Sequence, residues 1–193
     1  MNQSEIIEFK QEYSKFMGTV ALRVFNIHKN ADSLSAKVVC NNLHQFLIFL
    51  KYDFLHQIKL FLEITAYDNP GKIFRFSLVY SLISTEFNAR YQVYTQTDQF
   101  LGVETITSIY SAANWSEREV WDIYGIIIWN HPDLRRILTD YGFDGFPLRK
   151  DFPLSGYVEK VYSHTTKTVE DRKVQLSQEL RAYKYQDSWE DEK

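Results

Sequence analysis

The side chains best suited to chemistry gather in the second half of this chain, and each group suggests a different reaction. His131, Asp133, Asp140 and Asp144 offer donor atoms for a metal ion. Their spacing matches no recognised ligand pattern, and Arg135 and Arg136 between them repel a cation, so no metal site is expected. Glu117, Glu119 and Asp122 suggest paired carboxylates for acid–base work, but residues two apart on a helix point in different directions. Glu119 is better explained by an S-x-x-E capping box with Ser116. Glu117 and Arg118 are expected on charged faces, with Arg118 and Asp122 as an exposed i,i+4 pair worth roughly 0.3–0.5 kcal/mol. Arg135, Arg136, Arg149 and Lys150 could grip phosphate, yet Asp133, Asp140, Asp144 and Asp151 cancel the field that a polyanion needs. Ion pairing, mutual or across an interface, is their expected use. Ser155-Gly156 lacks the G-x-S-x-G frame, and neither G-x-G-x-x-G nor a Walker A loop occurs. By its residue types, this chain has many contacts to make and no reaction to perform.

Composition supports that reading. The 193 residues contain a single cysteine, Cys40, expected as a buried thiol on a strand. One thiol forms no intrachain disulfide and suits a reducing compartment. It also excludes a four-cysteine iron–sulfur cluster and a Cys-rich zinc site. A net charge of −3 and a pI of about 6.0 predict no general attraction to nucleic acid or anionic lipid. The longest apolar stretches, Phe46–Leu50 and Ile123–Trp129, are far shorter than the ~20 residues that span a bilayer. The opening residues MNQSEIIEFKQEYSKF include three glutamates and resemble neither a signal peptide nor an Arg-rich transit peptide.

Periodicity supplies the elements that position these side chains. Ile6, Phe9, Tyr13, Phe16 and Met17 predict an amphipathic helix over Glu5–Met17, stopped by Gly18. A strand is predicted over Thr19–Ile27, a turn at Asn30–Ser33 and a second strand at Leu34–Val39. Asn41 or Asn42 can cap a helix whose Leu43, Phe46, Leu47 and Leu50 share one side. Leu60–Asp68 reads as a buried strand, ended by Asp68-Asn69-Pro70-Gly71, where proline presets φ and glycine accepts φ > 0. Alternation over Ile73–Tyr80 and a strand at Arg90–Thr95 predict an antiparallel pair. Glu104–Tyr110 is ambiguous. Ser116–Tyr124 is the next helix, with Trp115 and Val120 as a hydrophobic staple and Gly125 as its left-handed stop. Together these predict an α+β domain over residues 1–125, a mixed, largely antiparallel sheet packed with helices.

From Asn114 to Tyr157 large aromatics, glycines, prolines and charges alternate at short spacing. After a short helical turn predicted at Asp133–Leu138, regular structure is broken at Gly142, Gly145, Pro147, Pro153 and Gly156. An irregular segment, residues 126–157, must have its backbone hydrogen bonds met by this domain or by a partner. Residues 158–193 read as an extended tail with aromatic anchors.

Within this region EREVWDIYGI, followed by HPDLRRILTDYGFDGFPLRKDFPLSGY, resembles the signature of the thirty-kilodalton (NuoC-type) subunit of respiratory complex I, NADH:ubiquinone oxidoreductase. The likeness extends backward through LEITAYDNPG, RFSLVYSLIS and ANW, and forward through QELRAYKYQDSW, covering nearly everything after about Leu60. Three positions depart from the family pattern. Phe146 stands where histidine is common, Ser188 where proline often precedes the tail tryptophan, and Ile126-Ile127-Ile128 where the stretch is more aromatic.

The resemblance implies a core structural subunit of the hydrophilic arm, with no cofactor on this chain. Flavin and iron–sulfur clusters would lie on partner subunits, and the forty-nine-kilodalton subunit would be the main neighbour. A second copy of the chain, nucleic acid and a membrane-spanning segment are not expected. The expected contacts are Trp121, His131, Arg135, Arg136, Tyr141, Phe143, Arg149, Lys150 and Phe152, with Tyr183, Tyr185 and Trp189 in the tail. The implied location is the matrix side of the mitochondrial inner membrane, or the cytoplasmic membrane face in a bacterium. The alternative is the equivalent subunit of a membrane-bound hydrogenase or a ferredoxin-dependent dehydrogenase complex.

Overall fold

A computed structural model describes residues 24–29, 33–178 and 181. The helix expected over Glu5–Met17 with its stop at Gly18, the start of the strand expected over Thr19–Ile27, most of the turn after it, and Tyr183, Tyr185 and Trp189 lie outside the described residues. The chain forms two compact units, one ending at Phe152 and the other beginning at Pro153.

In the first unit, β1 (Val24–Lys29), β2 (Ser33–Val38), β3 (Leu60–Asp68), β4 (Phe76–Ser84) and β5 (Ala89–Thr97) form one sheet in the order β1-β2-β5-β4-β3. Neighbours are antiparallel except β2 and β5, which are parallel. The expected α+β class, a mixed and largely antiparallel sheet with helices, is the one observed. Alternation decides which face is covered. Phe76, Leu78, Tyr80 and Leu82 of β4 and Tyr91, Val93 and Thr95 of β5 are buried together. β4 begins at Phe76 rather than Ile73, because Ile73 and Phe74 sit exposed in the connection from β3. β3 is half-buried rather than buried. It is an edge strand that turns Phe61, Ile64 and Ala66 inward and Leu60, Leu62 and Tyr67 outward, with a register shift between Phe61 and Glu63. The turn after it closes from Lys72 N–H to the Asn69 carbonyl at 3.0 Å. Gly71 takes no positive φ there, so Pro70 and not glycine sets the turn type.

Helix α1 (Leu43–Tyr52) buries Leu43, Phe46, Leu47 and Leu50 against the sheet, as its spacing predicts. Burying each such side chain contributes about 1.5–3 kcal/mol. Asn42 holds the N-cap position without a side-chain cap bond. Cys40 lies in the short 3₁₀ turn Cys40–Asn42 and not on a strand; it is half-buried and its Sγ donates to the Gly102 carbonyl at 3.0 Å.

Helix α2 (Ala113–Tyr124) begins before Ser116, so the expected capping box does not form. Its first N–H groups, Ala113 and Asn114, instead donate to the carbonyls of Tyr110 and Ser111 in the preceding turn. Trp115 is a surface residue stacked with Arg118, ring to guanidinium 5.0 Å, rather than a staple. Gly125 ends the helix as expected, at φ 70° and ψ 31°, with its N–H on the Trp121 carbonyl. Two short parallel strands, β6 (Val103–Glu104) and β7 (Ile128–Trp129), tie the approach to α2 to the chain leaving it. The helical turn expected at Asp133–Leu138 is absent.

In the second unit, β8 (Val158–Ser163) and β9 (Thr168–Lys173) form an antiparallel hairpin, a pairing the tail's mixed charge did not reveal. Lys160 pairs with Asp171 across it at 2.6 Å.

Candidate functional site

Residues 130–152 contain no helix or strand, so their backbone polar groups need other partners. Buried aspartates on two elements of the same unit supply many of them. Asp122 on α2 accepts the N–H groups of Ile137 (3.2 Å), Leu138 (2.7 Å) and Thr139 (2.9 Å) on Oδ2, and the Thr139 hydroxyl (2.6 Å) on Oδ1. Burial pushes its carboxyl up, but these donors outweigh burial and hold it below the usual carboxylate range. Asp68, at the end of β3, forms a two-bond fork with Arg75, both contacts 2.7 Å, and also accepts the Lys150 N–H at 2.9 Å. The Arg75 hydrogen bonds hold Asp68 below its ordinary value against the effect of burial. Arg75 reaches on to Asp151 at 3.1 Å. The irregular segment is therefore anchored on α2 at one end and on the β3–β4 connection at the other.

Between these anchors the packing centres on Phe146. The Arg149 guanidinium lies 4.4 Å from the Phe146 ring and 5.3 Å from that of Phe76, while Arg136 covers Phe146 at 5.0 Å. Trp121 meets Phe146 edge-on, centroids 5.9 Å apart. Arg149 donates to the Tyr124 carbonyl at 2.6 Å, and Leu148 N–H donates to the Ile123 carbonyl. A cation and an amide thus complete the carbonyl end of α2, where positive charge is favoured. Arg136 donates twice to the Gly145 carbonyl, each at 3.1 Å. A Cβ on Gly125 would meet Phe146 at 2.5 Å and Arg149 at 2.6 Å, so glycine is required there by space as well as by φ.

The expected contact residues consequently separate into inner and outer groups. Trp121, Arg136 and Arg149 are drawn together around Phe146, and Phe143 packs on Phe152 with centroids 5.9 Å apart. His131 is buried beside Glu117. Arg135 stands outside, 73% exposed and paired with Asp133 at 2.8 Å, while Tyr141 is wholly exposed and Lys150 extends outward. Glu117 and Arg118, expected on charged faces, are buried instead. Glu117 turns in to the Ile106 N–H, and Arg118 donates to the Arg135 carbonyl at 3.1 Å. Sequence reasoning missed Asp68 and Asp122 as anchors, because their acceptor role depends on residues far along the chain.

Among the described residues no group of three His, Cys, Asp or Glu side chains could hold a metal ion. Also among them, no helix is long and apolar enough to cross a membrane. A family model described as "Respiratory-chain NADH dehydrogenase, 30 Kd subunit" matches residues 36–158. "NADH-ubiquinone oxidoreductase subunit 9" of Prototheca wickerhamii is 50% identical over 77% of this chain and 77% of its own. "NADH dehydrogenase (ubiquinone) iron-sulfur protein 3" of Arabidopsis thaliana is 45% identical over 77% of this chain and 78% of its own. Despite that relative's name, one cysteine bonded to a carbonyl does not fit a cluster ligand set here. A chain from the solved structure of the membrane-bound sulfane sulfur reductase, an archaeal respiratory membrane complex, matches with a TM-score of 0.65. The two are 26% identical, over 76% of this chain and 86% of that one.

Proposed function

The chain belongs to the respiratory-chain NADH dehydrogenase thirty-kilodalton subunit family, and from that premise we propose that it is a cofactor-free structural subunit of the peripheral arm of complex I, docked on the forty-nine-kilodalton subunit. Its task is to fix the positions of cluster-bearing neighbours, supporting electron transfer from NADH to quinone without handling electrons. The arm lies on the matrix side of the mitochondrial inner membrane, or on the cytoplasmic face in a bacterium.

The observation that carries this reading is the state of residues 130–152. Several of their backbone N–H groups are met from within by Asp122 and Asp68, yet Leu138, Tyr141 and Leu148 face outward. A surface held rigid in advance loses little entropy on docking. Arg135, Tyr141 and Lys150 are its direct contacts, and Trp121, His131, Arg136, Phe143, Arg149 and Phe152 hold it from behind. The β8–β9 hairpin supports the same view. A lone two-stranded hairpin is marginal in water, and this one exposes Val158, Tyr162 and Val169. A neighbour supplies the missing burial, with Tyr183, Tyr185 and Trp189 as further anchors.

The likeness to the sulfane sulfur reductase chain favours a second reading, the equivalent subunit of another respiratory membrane complex. The higher identity to ubiquinone-linked relatives places it second. Crosslinking of the purified complex at Lys150 and Lys160, read by mass spectrometry, tests the assignment. Links to the forty-nine-kilodalton subunit and an NADH-oxidising flavin module among the partners are expected. An Arg135→Glu, Tyr141→Asp chain should fold but fail to enter the arm. Normal assembly with lost turnover would refute a purely structural role.

A further inference from the structure

Glu117 is a carboxyl group for which the docking role has no use. It is 1% exposed on the inner side of α2. Oε1 accepts the Ile106 N–H at 2.7 Å and Oε2 accepts the Thr105 hydroxyl at 2.5 Å. Nε2 of the buried His131 ring lies 3.6 Å from Oε2. Nδ1 of the same ring accepts the Asp133 N–H at 3.1 Å. An accepting Nδ1 carries no proton, so the ring is neutral with its hydrogen on Nε2. That N–H is buried with no hydrogen-bond partner.

The other groups around Glu117 leave its charge uncompensated. His44 of α1 donates from Nδ1 to the Thr105 carbonyl at 2.9 Å, and Tyr80 faces Glu117 from β4. On its own helix, Arg118 and Asp122 are engaged elsewhere. Burial pushes the Glu117 carboxyl up to about 7, opposed by the Ile106 N–H, the Thr105 hydroxyl and His44. A path to water exists. The Thr105 and Thr107 hydroxyls are 2.9 Å apart, and both residues, with His44, Ser108 and Asn114, line an open cavity of about 630 Å³; Thr105 is buried and Thr107 the more exposed of the two.

We propose that Glu117 is a proton-storing site, loaded from this cavity through the hydroxyls of Thr107 and Thr105, whose charge state sets the position of the His131 ring and of the loop bearing Asp133 and Arg135. One proton enters per event. A cavity hydronium gives a proton to Thr107 Oγ1, the former Thr107 hydroxyl proton passes to Thr105 Oγ1, and the former Thr105 hydroxyl proton passes to Glu117 Oε2. Both threonines remain neutral alcohols, the carboxylate becomes a carboxylic acid, and water is left behind. The ionised form attracts the His131 Nε2–H and draws the ring inward; the acid form releases it.

The test is a pH titration of the full chain carrying carbon-13 glutamate carboxyls, with Glu117 assigned by its loss in Glu117→Gln. The expected midpoint is near 7, and the His131 ring protons shift with the same midpoint. Thr105→Val removes a donor to the charged form and raises the midpoint. Thr107→Val leaves the midpoint in place but slows proton exchange about tenfold, the loss of roughly one hydrogen bond in the barrier. If Glu117→Gln fails to fold, the two threonine variants, assigned by through-bond correlation, carry the same readouts. A Glu117 midpoint in the ordinary glutamate range, or a His131 ring that does not follow it, overturns the site. An unchanged exchange rate in Thr107→Val overturns the route.

Discussion

Replacing Asp122 with alanine should release the irregular segment from α2 while leaving the sheet intact. The substitution removes the acceptor for three backbone N–H groups and one hydroxyl, and it takes a negative charge from beside Arg136, 3.7 Å away. Hydrogen bonds to a charged group are worth about 1.5–3 kcal/mol each. Water reaches part of the freed segment and returns some of that, so the net cost is about 3–5 kcal/mol, as for other broken buried pairs. Asparagine retains one acceptor oxygen and should cost about 2 kcal/mol. For a urea slope of about 2 kcal/mol per molar, the alanine chain should unfold at about 2 M lower denaturant. Amide exchange at Ile137, Leu138 and Thr139 should rise together, with amides of β4 and β5 following only the global change. The pH dependence gives an independent check. Asp122 is depressed in the folded chain, so its contribution is present above its unfolded value near 3.8 and lost as pH falls through the lower folded value. The acid limb of the stability curve should therefore be shallower in Asp122→Ala. A midpoint shift below about 0.3 M with unchanged protection at residues 137–139 would refute the anchoring argument.

Four further outcomes follow from the same geometry. Gly125→Ala should lose about 2–4 kcal/mol by thermal melting, since a Cβ meets both left-handed strain and the Phe146 ring. Arg75→Ala leaves buried Asp68 without its fork and should cost about 3–5 kcal/mol in denaturant unfolding, more than Arg135→Ala on the exposed surface, which should change it by under about 0.5 kcal/mol. Phe146→His should be tolerated with about 1 kcal/mol lost, and its imidazole, set between two guanidinium groups, should titrate well below its usual value by proton NMR. Glu117 is raised from 4.5 to about 7, so the stability it provides is complete below about 4.5 and is lost progressively from there as pH rises through about 7. That decline, about 3 kcal/mol, should be missing in Glu117→Gln, as chemical unfolding at pH 5 and pH 8 would record.

The parts of the fold visible in the sequence are those decided by neighbours a few residues away. Period-two alternation found the first half of β4, the strand expected at Arg90–Thr95 lies within β5, the apolar stripe placed α1, and Gly125 placed the end of α2. Where a distant group competed, local logic failed. The Ser116–Glu119 capping box lost to carbonyls of the turn at Tyr110 and Ser111, which let α2 begin earlier. Glu117 and Asp122 looked like solvated helix charges, yet each is taken up by backbone donors that periodicity cannot locate, Ile106 for one and residues 137–139 for the other. The parallel pairing of β2 with β5 is likewise non-local, joined through α1, β3 and β4. The density of aromatics and charges after Asn114 did announce an irregular segment whose backbone needs partners. It did not tell which of those side chains face inward.

The bond from Lys150 N–H to Asp68 joins positions 82 residues apart. Asp68 is in place only when β3 has turned into β4 and Arg75 has closed its fork. The outward face bearing Tyr141 and Lys150 therefore comes into existence late, after the sheet has closed. A partner that recognised this face would meet only mature copies, and half-formed chains would be kept out of the assembly line without a dedicated inspector.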